Sequence, residues 1–213
     1  DSRILDGANG AVIDGEVIQF ANATLIGPGQ YRLSRLLRGR LGTEHLIVSH
    51  PVGSRFVMLD PGRQVRPAFS GANIGQTIGW RYAPVPQGPA GDQSGAIAFA
   101  NAGEGLKPWS PVHLRGTRNV AGDLAISWVR RTRLSGWWRD LTDVPLEEES
   151  ERYEIDILNG AIVVRTLAAT APAATYTAAQ QVADFGAAQP SVSVRVFQLS
   201  AAIGRGTPAA ATI

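Results

Sequence analysis

Four groups of side chains in this chain could do chemistry. The densest runs from Tyr31 to Glu44, where Arg32, Arg35, Arg38 and Arg40 stand among leucines and two glycines. Guanidinium groups at that density suit phosphate or carboxylate recognition, because the planar fork donates parallel hydrogen bonds. The second group is His45 and His50, with Glu44 beside the first and Asp60 further on. A metal centre needs three or more converging ligands, and this spacing suits neither one helix face nor one strand face. These histidines read as surface or structural, and His113 reads no differently. Asp6-Gly7-Ala8-Asn9-Gly10 has the oxygen-rich start of a calcium loop but lacks the further acids and the closing glutamate. It reads as a turn.

The third group is acidic. Asp140, Asp143, Glu147, Glu148, Glu149 and Glu151 follow closely on Arg130, Arg131, Arg133 and Arg139. Paired carboxylates hydrolyse glycosides when a cleft holds them about 5 to 9.5 Å apart. Here they lie nearly consecutively in one loop, which points to a solvated, self-neutralising face. The fourth group is aromatic: Trp137 and Trp138 at the centre of that loop, with Trp80 and Tyr82 earlier. Exposed aromatics stack on sugar rings or anchor a protein partner. The competing expectation is that one indole folds back and closes the end of a core.

Other chemistries find no residues. There is no cysteine, which excludes disulfides, thiol catalysis and thiolate metal sites. No serine, histidine and aspartate carry a nucleophile signature, and no glycine-rich segment leads from a strand into a helix as a phosphate loop does. We therefore assign no catalytic residue, metal or cofactor and expect a non-enzymatic protein. The net charge is +2, and only Tyr31 lies near the arginine stretch. Both facts argue against nucleic acid, which needs a basic face and aromatic platforms. Lys107 is the only lysine among 20 basic residues, and a GC-rich genome is the plainer reason for that bias. No apolar run approaches the roughly 20 residues that span a bilayer. The chain starts at Asp1 rather than Met, and its first residues already read as structured, so we expect a piece of something longer.

The elements that position these groups read as strands. Turn dipeptides stand at Asp6-Gly7, Asn9-Gly10 and Asp14-Gly15. Glu16 to Phe20, Ala23 to Ile26, Gln30 to Leu37, Phe56 to Leu59 and Gln76 to Ala83 are strand candidates, with Gly27-Pro28-Gly29 as a turn. In the arginine stretch, alternation places Tyr31 and Leu33 inward and Arg32 outward. The period breaks at Leu36-Leu37, a bulge or strand end, and residues 38–42 follow as a loop. Ala83 to Gly91 is too rich in proline and glycine for a helix.

From Pro111 the pattern is regular. Val112 to Gly116, Leu124 to Trp128, Tyr153 to Leu158, Ile162 to Thr166, Thr175 to Ala178, Ser191 to Leu199 and Pro208 to Ile213 are short strands, with one helical turn at Ala178 to Phe185. Ser193, Arg195 and Gln198 interrupt apolar neighbours and mark a solvated face. About seven such strands in this length predict a β-sandwich. The expected fold is all-β: a small β-rich domain over 1–108, Gly/Pro-rich in its second half, then a sandwich over 109–213 with a long insertion at 130–151.

That second half resembles a fibronectin type III domain, through the Leu-Ala-Ile-Ser-Trp128 motif, Tyr153-Glu-Ile-Asp-Ile and Val192-Ser-Val-Arg-Val before Gly204-Arg-Gly-Thr-Pro208. The insertion departs from the pattern, and Val192 or Val194 stands where the family's sixth-strand tyrosine is sought. A wider resemblance rests on Gly15 to Leu25, Gly29 to Glu44, Trp128 to Arg133, Trp138-Arg-Asp, Val144-Pro-Leu-Glu, Ser150 to Ile157 and Asp184-Phe-Gly. These look like the C-terminal part of the large tail-tip (baseplate, host specificity) protein of gene transfer agents and siphophage-like tails. In that family a glycoside-hydrolase-like barrel precedes this region, so hydrolase activity is not carried over.

The resemblance implies a structural and binding module of a tail tip, acting in tail assembly or cell-surface contact. Implied partners are other tail or baseplate proteins, with a cell-surface glycan or envelope receptor as a further one. The place is a virion-like particle made in the bacterial cytoplasm, with oligomers formed only in the assembled tail. Trp137, Trp138, Trp80 and Tyr82 are the expected anchors, with Arg133 and Arg139 at the rim. The alternative is a carbohydrate-binding module using the same aromatics.

Overall fold

The computed structural model describes residues 2–60, 62–64, 67–81, 95–134, 136 and 141–213. It divides into two compact units, Asp1–Pro67 and Ala68–Ile213. This division falls earlier than the 108/109 boundary expected from sequence. Within the second unit Pro108 is tied to the end of the chain: Thr207 N–H donates to Pro108 O at 3.0 Å.

The first unit opens with a short helix, α1 (Ser2–Leu5), and continues as strands β1 (Gly10–Ile13), β2 (Glu16–Gly27), β3 (Gln30–Arg40) and β4 (Phe56–Met58). They form one antiparallel sheet in the order β3-β2-β1-β4. Asp14 and Gly15 make the tight turn between β1 and β2, with φ of 48° and 90°. Asp-Gly supplies the two left-handed residues that such a hairpin turn demands. Pro28 and Gly29 make the next turn, Gly29 at φ 67°, with proline's fixed φ at the first corner.

β2 and β3 are longer than the sequence patterns suggested. The two expected strands at 16–20 and 23–26 are one, and the expected loop at 38–42 is strand as far as Arg40. The irregularity in β3 falls between Leu37 and Arg40, which pair with Gln19 and Val17. Gly39 takes φ 61° at that bulge, a conformation that glycine reaches without steric cost. Tyr31 is not inward: it is 61 % exposed. Pairing places Ala23, Leu25, Tyr31 and Leu33 on one face of the ribbon, and at its far end Leu25 and Tyr31 are exposed. The buried positions are at its base, at Ala11, Ile18 and Phe20.

The second unit begins with a two-stranded ribbon, β5 (Thr77–Trp80) and β6 (Ile97–Ala100). A sandwich follows. β7 (Val112–Arg118), β8 (Leu124–Val129), β9 (Tyr153–Asn159), β10 (Ile162–Ala169), β11 (Ala173–Tyr176), β12 (Ser193–Ser200), β13 (Gly204–Arg205) and β14 (Ala209–Thr212) are its strands, with α2 (Ala178–Phe185) between β11 and β12. One sheet runs β11-β8-β7. The other runs β10-β9-β12, with β13 and β14 both pairing β12. Counting β13 and β14 as one interrupted strand, strands one, two and five face strands three, four, six and seven. That is the arrangement of a fibronectin type III-like sandwich.

Its core follows from alternation. β8 buries Leu124, Ile126 and Trp128 and exposes the residues between. They meet Tyr153, Ile155 and Ile157 of β9 and Val194 and Val196 of β12 across the sandwich. Trp128 and Tyr153 stack edge to face, centroids 5.0 Å apart, the arrangement that ring quadrupoles favour. No tyrosine stands on β12. The buried phenols are Tyr153 and Tyr176, both raised in pKa first by burial and then by the carboxylates of Glu151 and Asp184.

Gln198 departs from the expected solvated face. Strand parity places it inward with Val194 and Val196, 1 % exposed, while Phe197 points outward. Arg205 covers Phe197, its guanidinium carbon 4.4 Å from the ring centre.

Helix α2 is well specified locally. Thr177 accepts from Gln180 N–H, and the Gln180 side chain answers Thr177 N–H, a capping box. Gly186 closes the helix at φ 78°. Asp184, on its last turn, accepts two hydrogen bonds from Arg165 of β10 and one from Tyr176 Oη.

Candidate functional site

Among the described residues of the second unit, the β5–β6 ribbon carries an apolar face with two large exposed side chains, Ile97 and Phe99. Ile78 pairs with Phe99 and Trp80 with Ile97, and directly paired residues share a face. Phe69 adds a third ring, 5.7 Å from Trp80 at 55° and 6.3 Å from Phe99 at 67° between planes. The opposite face carries only Thr77, Gly79, Ala98 and Ala100. Ile97 and Phe99 remain 56 % and 51 % exposed. A two-stranded ribbon is marginal in water without a further layer.

Of the residues expected from sequence to make contacts, Trp80 lies in this face. Trp137, Trp138, Arg139 and Tyr82 lie outside the described residues. Arg133 is engaged within the unit: Nη2 donates to Glu148 Oε1 at 2.6 Å and Nη1 to Gly105 O at 3.3 Å. Both of these charged side chains are largely buried. Sequence reasoning missed Phe69, Ile97 and Phe99. The alternation of Ile97-Ala-Phe99 against Ile78-Gly-Trp80 was the available signal, hidden because the two halves are far apart in the chain.

In the acidic loop Arg130 pairs with Asp143 and Arg133 with Glu148, but Arg130, Arg133 and Glu148 are largely buried and do not form the solvated face expected from sequence. Arg130 Nη2 donates to Asp143 Oδ2 at 2.6 Å and to Val144 O, and Nη1 donates to Pro145 O. Glu151 accepts from Tyr153 Oη at 2.7 Å. Asp143, Glu148 and Glu151 are thus each held by an arginine or a tyrosine of the same unit.

A second polar cluster sits in the first unit. Arg38 Nε and Nη2 each donate at 2.6 Å to one oxygen of Glu16, which is fully buried. Gly39 N–H donates to the same carboxylate at 2.9 Å, and His50 Nε2 approaches it at 2.7 Å. Arg38 outweighs the opposing effect of burial and, with His50 and Gly39, holds the Glu16 pKa down at about 2. Arg40 donates to Gln19, whose amide in turn reaches Ile4 O and Ala8 O. Two of the four arginines of the stretch therefore organise this unit's own base.

Among the described residues no group of three or more His, Asp or Glu side chains could hold a metal ion. His45 and His113 are exposed. No helix among the described residues is long and apolar enough to cross a membrane.

The strand order makes the second unit a fibronectin type III-like sandwich, joined in one chain to a small antiparallel β-sheet unit. A family model described as "Rcc01698-like, C-terminal" matches residues 1–57. No curated protein matches the chain. Among solved structures, the chain is similar to domains d3–d4 of the rat CD45 extracellular region, with a TM-score of 0.36 and 9% identity over 90% of this chain and 93% of that one. It is also similar to the FN5 domain of Drosophila Lar, with a TM-score of 0.29 and 15% identity over 50% of this chain and 94% of that one.

Proposed function

We propose that this chain is a non-enzymatic structural and binding module of a phage-like tail tip or baseplate protein, acting in tail assembly or cell-surface contact. The setting is supported by the family match over residues 1–57, a family whose name is associated with gene transfer agents. That span contains the arginine stretch on which the sequence resemblance rests. The binding role is carried by one observation, the half-exposed face of Trp80, Ile97 and Phe99. Burial of such a face supplies interface energy without any catalytic group.

The mutual tilt of the rings favours a protein partner over a glycan at this face. Phe69 packs against Trp80 at 55° and against Phe99 at 67°, so the three rings do not form the single flat platform that suits sugar stacking. The test is co-purification of the chain with other tail proteins, using Trp80→Ala combined with Phe99→Ser. The proposal expects the variant to stay folded and to lose its partners. Partner capture and particle assembly at wild-type levels in that variant would overturn this assignment of the interface.

A further inference from the structure

We propose that the groove between α1 and the β2–β3 ribbon of the first unit docks an acidic amphipathic helix of a partner protein. The groove holds about 250 Å³ and is lined by Ile4, Leu5, Ala21, Arg35, Leu36 and Leu37. That is below the roughly 300–1,000 Å³ of small-molecule pockets and suits one or two side chains of a partner. Leu36 and Leu37 both line it, although strict alternation sends sequence neighbours to opposite faces. Arg35, just before them, takes φ 55°, a conformation that a non-glycine residue holds only under constraint from its surroundings.

The groove continues into the ribbon's apolar face. Ala21 and Ala23 lie two apart on β2 and so share a face. Gln19 is on that face as well, and its amide reaches Ile4 O and Ala8 O, so α1 lies over the base of the face. Beyond α1 the face runs on through the pairs Ala23 with Leu33 and Leu25 with Tyr31. Leu5 and Leu36 at the groove, and Leu25 and Tyr31 beyond it, are exposed. Ala21 to Leu25 is about 13 Å of strand, close to the ~11 Å of two helical turns. A partner helix with apolar residues at i, i+4 and i+7 spans that length, in the layer that α1 begins.

Charge selects the partner. From Val17 to Thr43 the chain carries four arginines and no acid. Glu16 takes Arg38, Arg40 donates to the neutral amide of Gln19, and Arg32 is exposed. On and just after α1, Arg3 and Asp6 offset each other. The ribbon side of the groove is therefore cationic and favours carboxylates on the flanks of the helix. A second copy in two-fold pairing would bring the same acid-free ribbon against itself. A flat lipid surface does not enter a concave groove beside α1.

The probe is a synthetic helix-forming peptide with leucines at i, i+4 and i+7 and glutamates on its flanks, titrated into the full chain and followed by backbone amide shifts. Shifts are expected at Ile4, Leu5, Ala21 to Leu25 and Tyr31 to Leu37, with binding about tenfold weaker in Leu36→Asn. Val52→Asn, at another exposed apolar position of the unit, leaves binding unchanged. Trp80→Ala with Phe99→Ser also leaves it unchanged, so failure of the second unit's face and failure of this groove are told apart. Equal binding of a scrambled peptide, or of one with arginines in place of the glutamates, would overturn the site. So would full binding by Leu36→Asn. The same shifts produced by phosphatidylglycerol vesicles and not by the peptide, or by raising the protein concentration alone, would overturn it in favour of a lipid surface or a second copy.

Discussion

Arg38 and Glu16 meet fork to fork, each of two guanidinium nitrogens 2.6 Å from one carboxylate oxygen, with the carboxylate fully buried. The pair joins β3 to β2 at the β3 bulge, where Gly39 N–H supplies a third hydrogen bond to the same group. A buried carboxylate is tolerated only when its lone pairs are this well matched. Removing the cation while the anion stays costs more than the pair contributes. Arg38→Met is expected to destabilise the first unit by about 3–5 kcal/mol, read as a lower denaturation midpoint or loss of amide protection in β2.

The same pair sets an acid response. The folded pKa of Glu16 is about 2 against 4.5 for a free glutamate. Because the folded value is the lower one, the stabilisation is fully present above the unfolded pKa. It is lost as pH falls from about 4.5 toward about 2, and amounts to on the order of 3 kcal/mol. Unfolding titrations of the first unit at neutral pH and near pH 3 should show the loss. Glu16→Gln should flatten this acid dependence while lowering stability at neutral pH.

Gly39 and Gly160 separate conformational strain from steric conflict. Both have φ of 61°, so alanine at either incurs roughly 1–2 kcal/mol of left-handed strain. A β-carbon at Gly160 meets nothing within 4 Å, but at Gly39 it lies 2.8 Å from the Glu44 backbone and 2.7 Å from Ile47. Gly39→Ala should therefore cost clearly more than Gly160→Ala, measured as the difference in unfolding free energy.

On the outer face of the sandwich, Asp156 is held by Arg205, whose two Nη atoms lie 2.8 and 2.9 Å from its oxygens, and by Thr166 Oγ1 at 2.7 Å. Burial pushes the Asp156 pKa up, but Arg205 and Thr166 together outweigh it and leave it below the usual aspartate value. Arg205→Ala removes the fork and uncovers Phe197. Arg195 remains 3.6 Å from Asp156, so the expected loss is about 2–3 kcal/mol, below that for a fully stranded charge. Trp128 fluorescence during unfolding would report it.

In the core, Ile126 is fully buried beside Ile155 and Tyr153. Ile126→Ala leaves a cavity that the rigid sheets cannot close, and should cost about 2–5 kcal/mol. Thermal unfolding of the variant checks this.

Alternation and turn chemistry made much of the sandwich legible. Leu124 to Trp128 and Tyr153 to Leu158 read as strands because every second residue is apolar, and Ala178 to Phe185 read as helical, matching β8, β9 and α2. The same logic failed at Gln198 and Tyr31. Parity fixes which side chains share a face, but not which face has a second layer over it. Gln198 follows its strand's parity into the core despite its amide, and Tyr31 stays exposed on an apolar ribbon face.

The candidate interface was half legible. Trp80 stood out as an aromatic in a strand-like run, but Phe69, Ile97 and Phe99 became its neighbours only through the pairing of β5 with β6. His50 read from sequence as surface or structural, but its partners gave no signal, since Asp14 and Glu16 are remote from it in sequence. By itself, then, the sequence determined the all-β class, the turns and the strands, because backbone preference and side-chain period are local properties. Only the tertiary structure decided which arginines are engaged internally and which rings cluster. It also decided where a buried carboxylate finds its partners, because each of those depends on strands meeting across distances that no local pattern records.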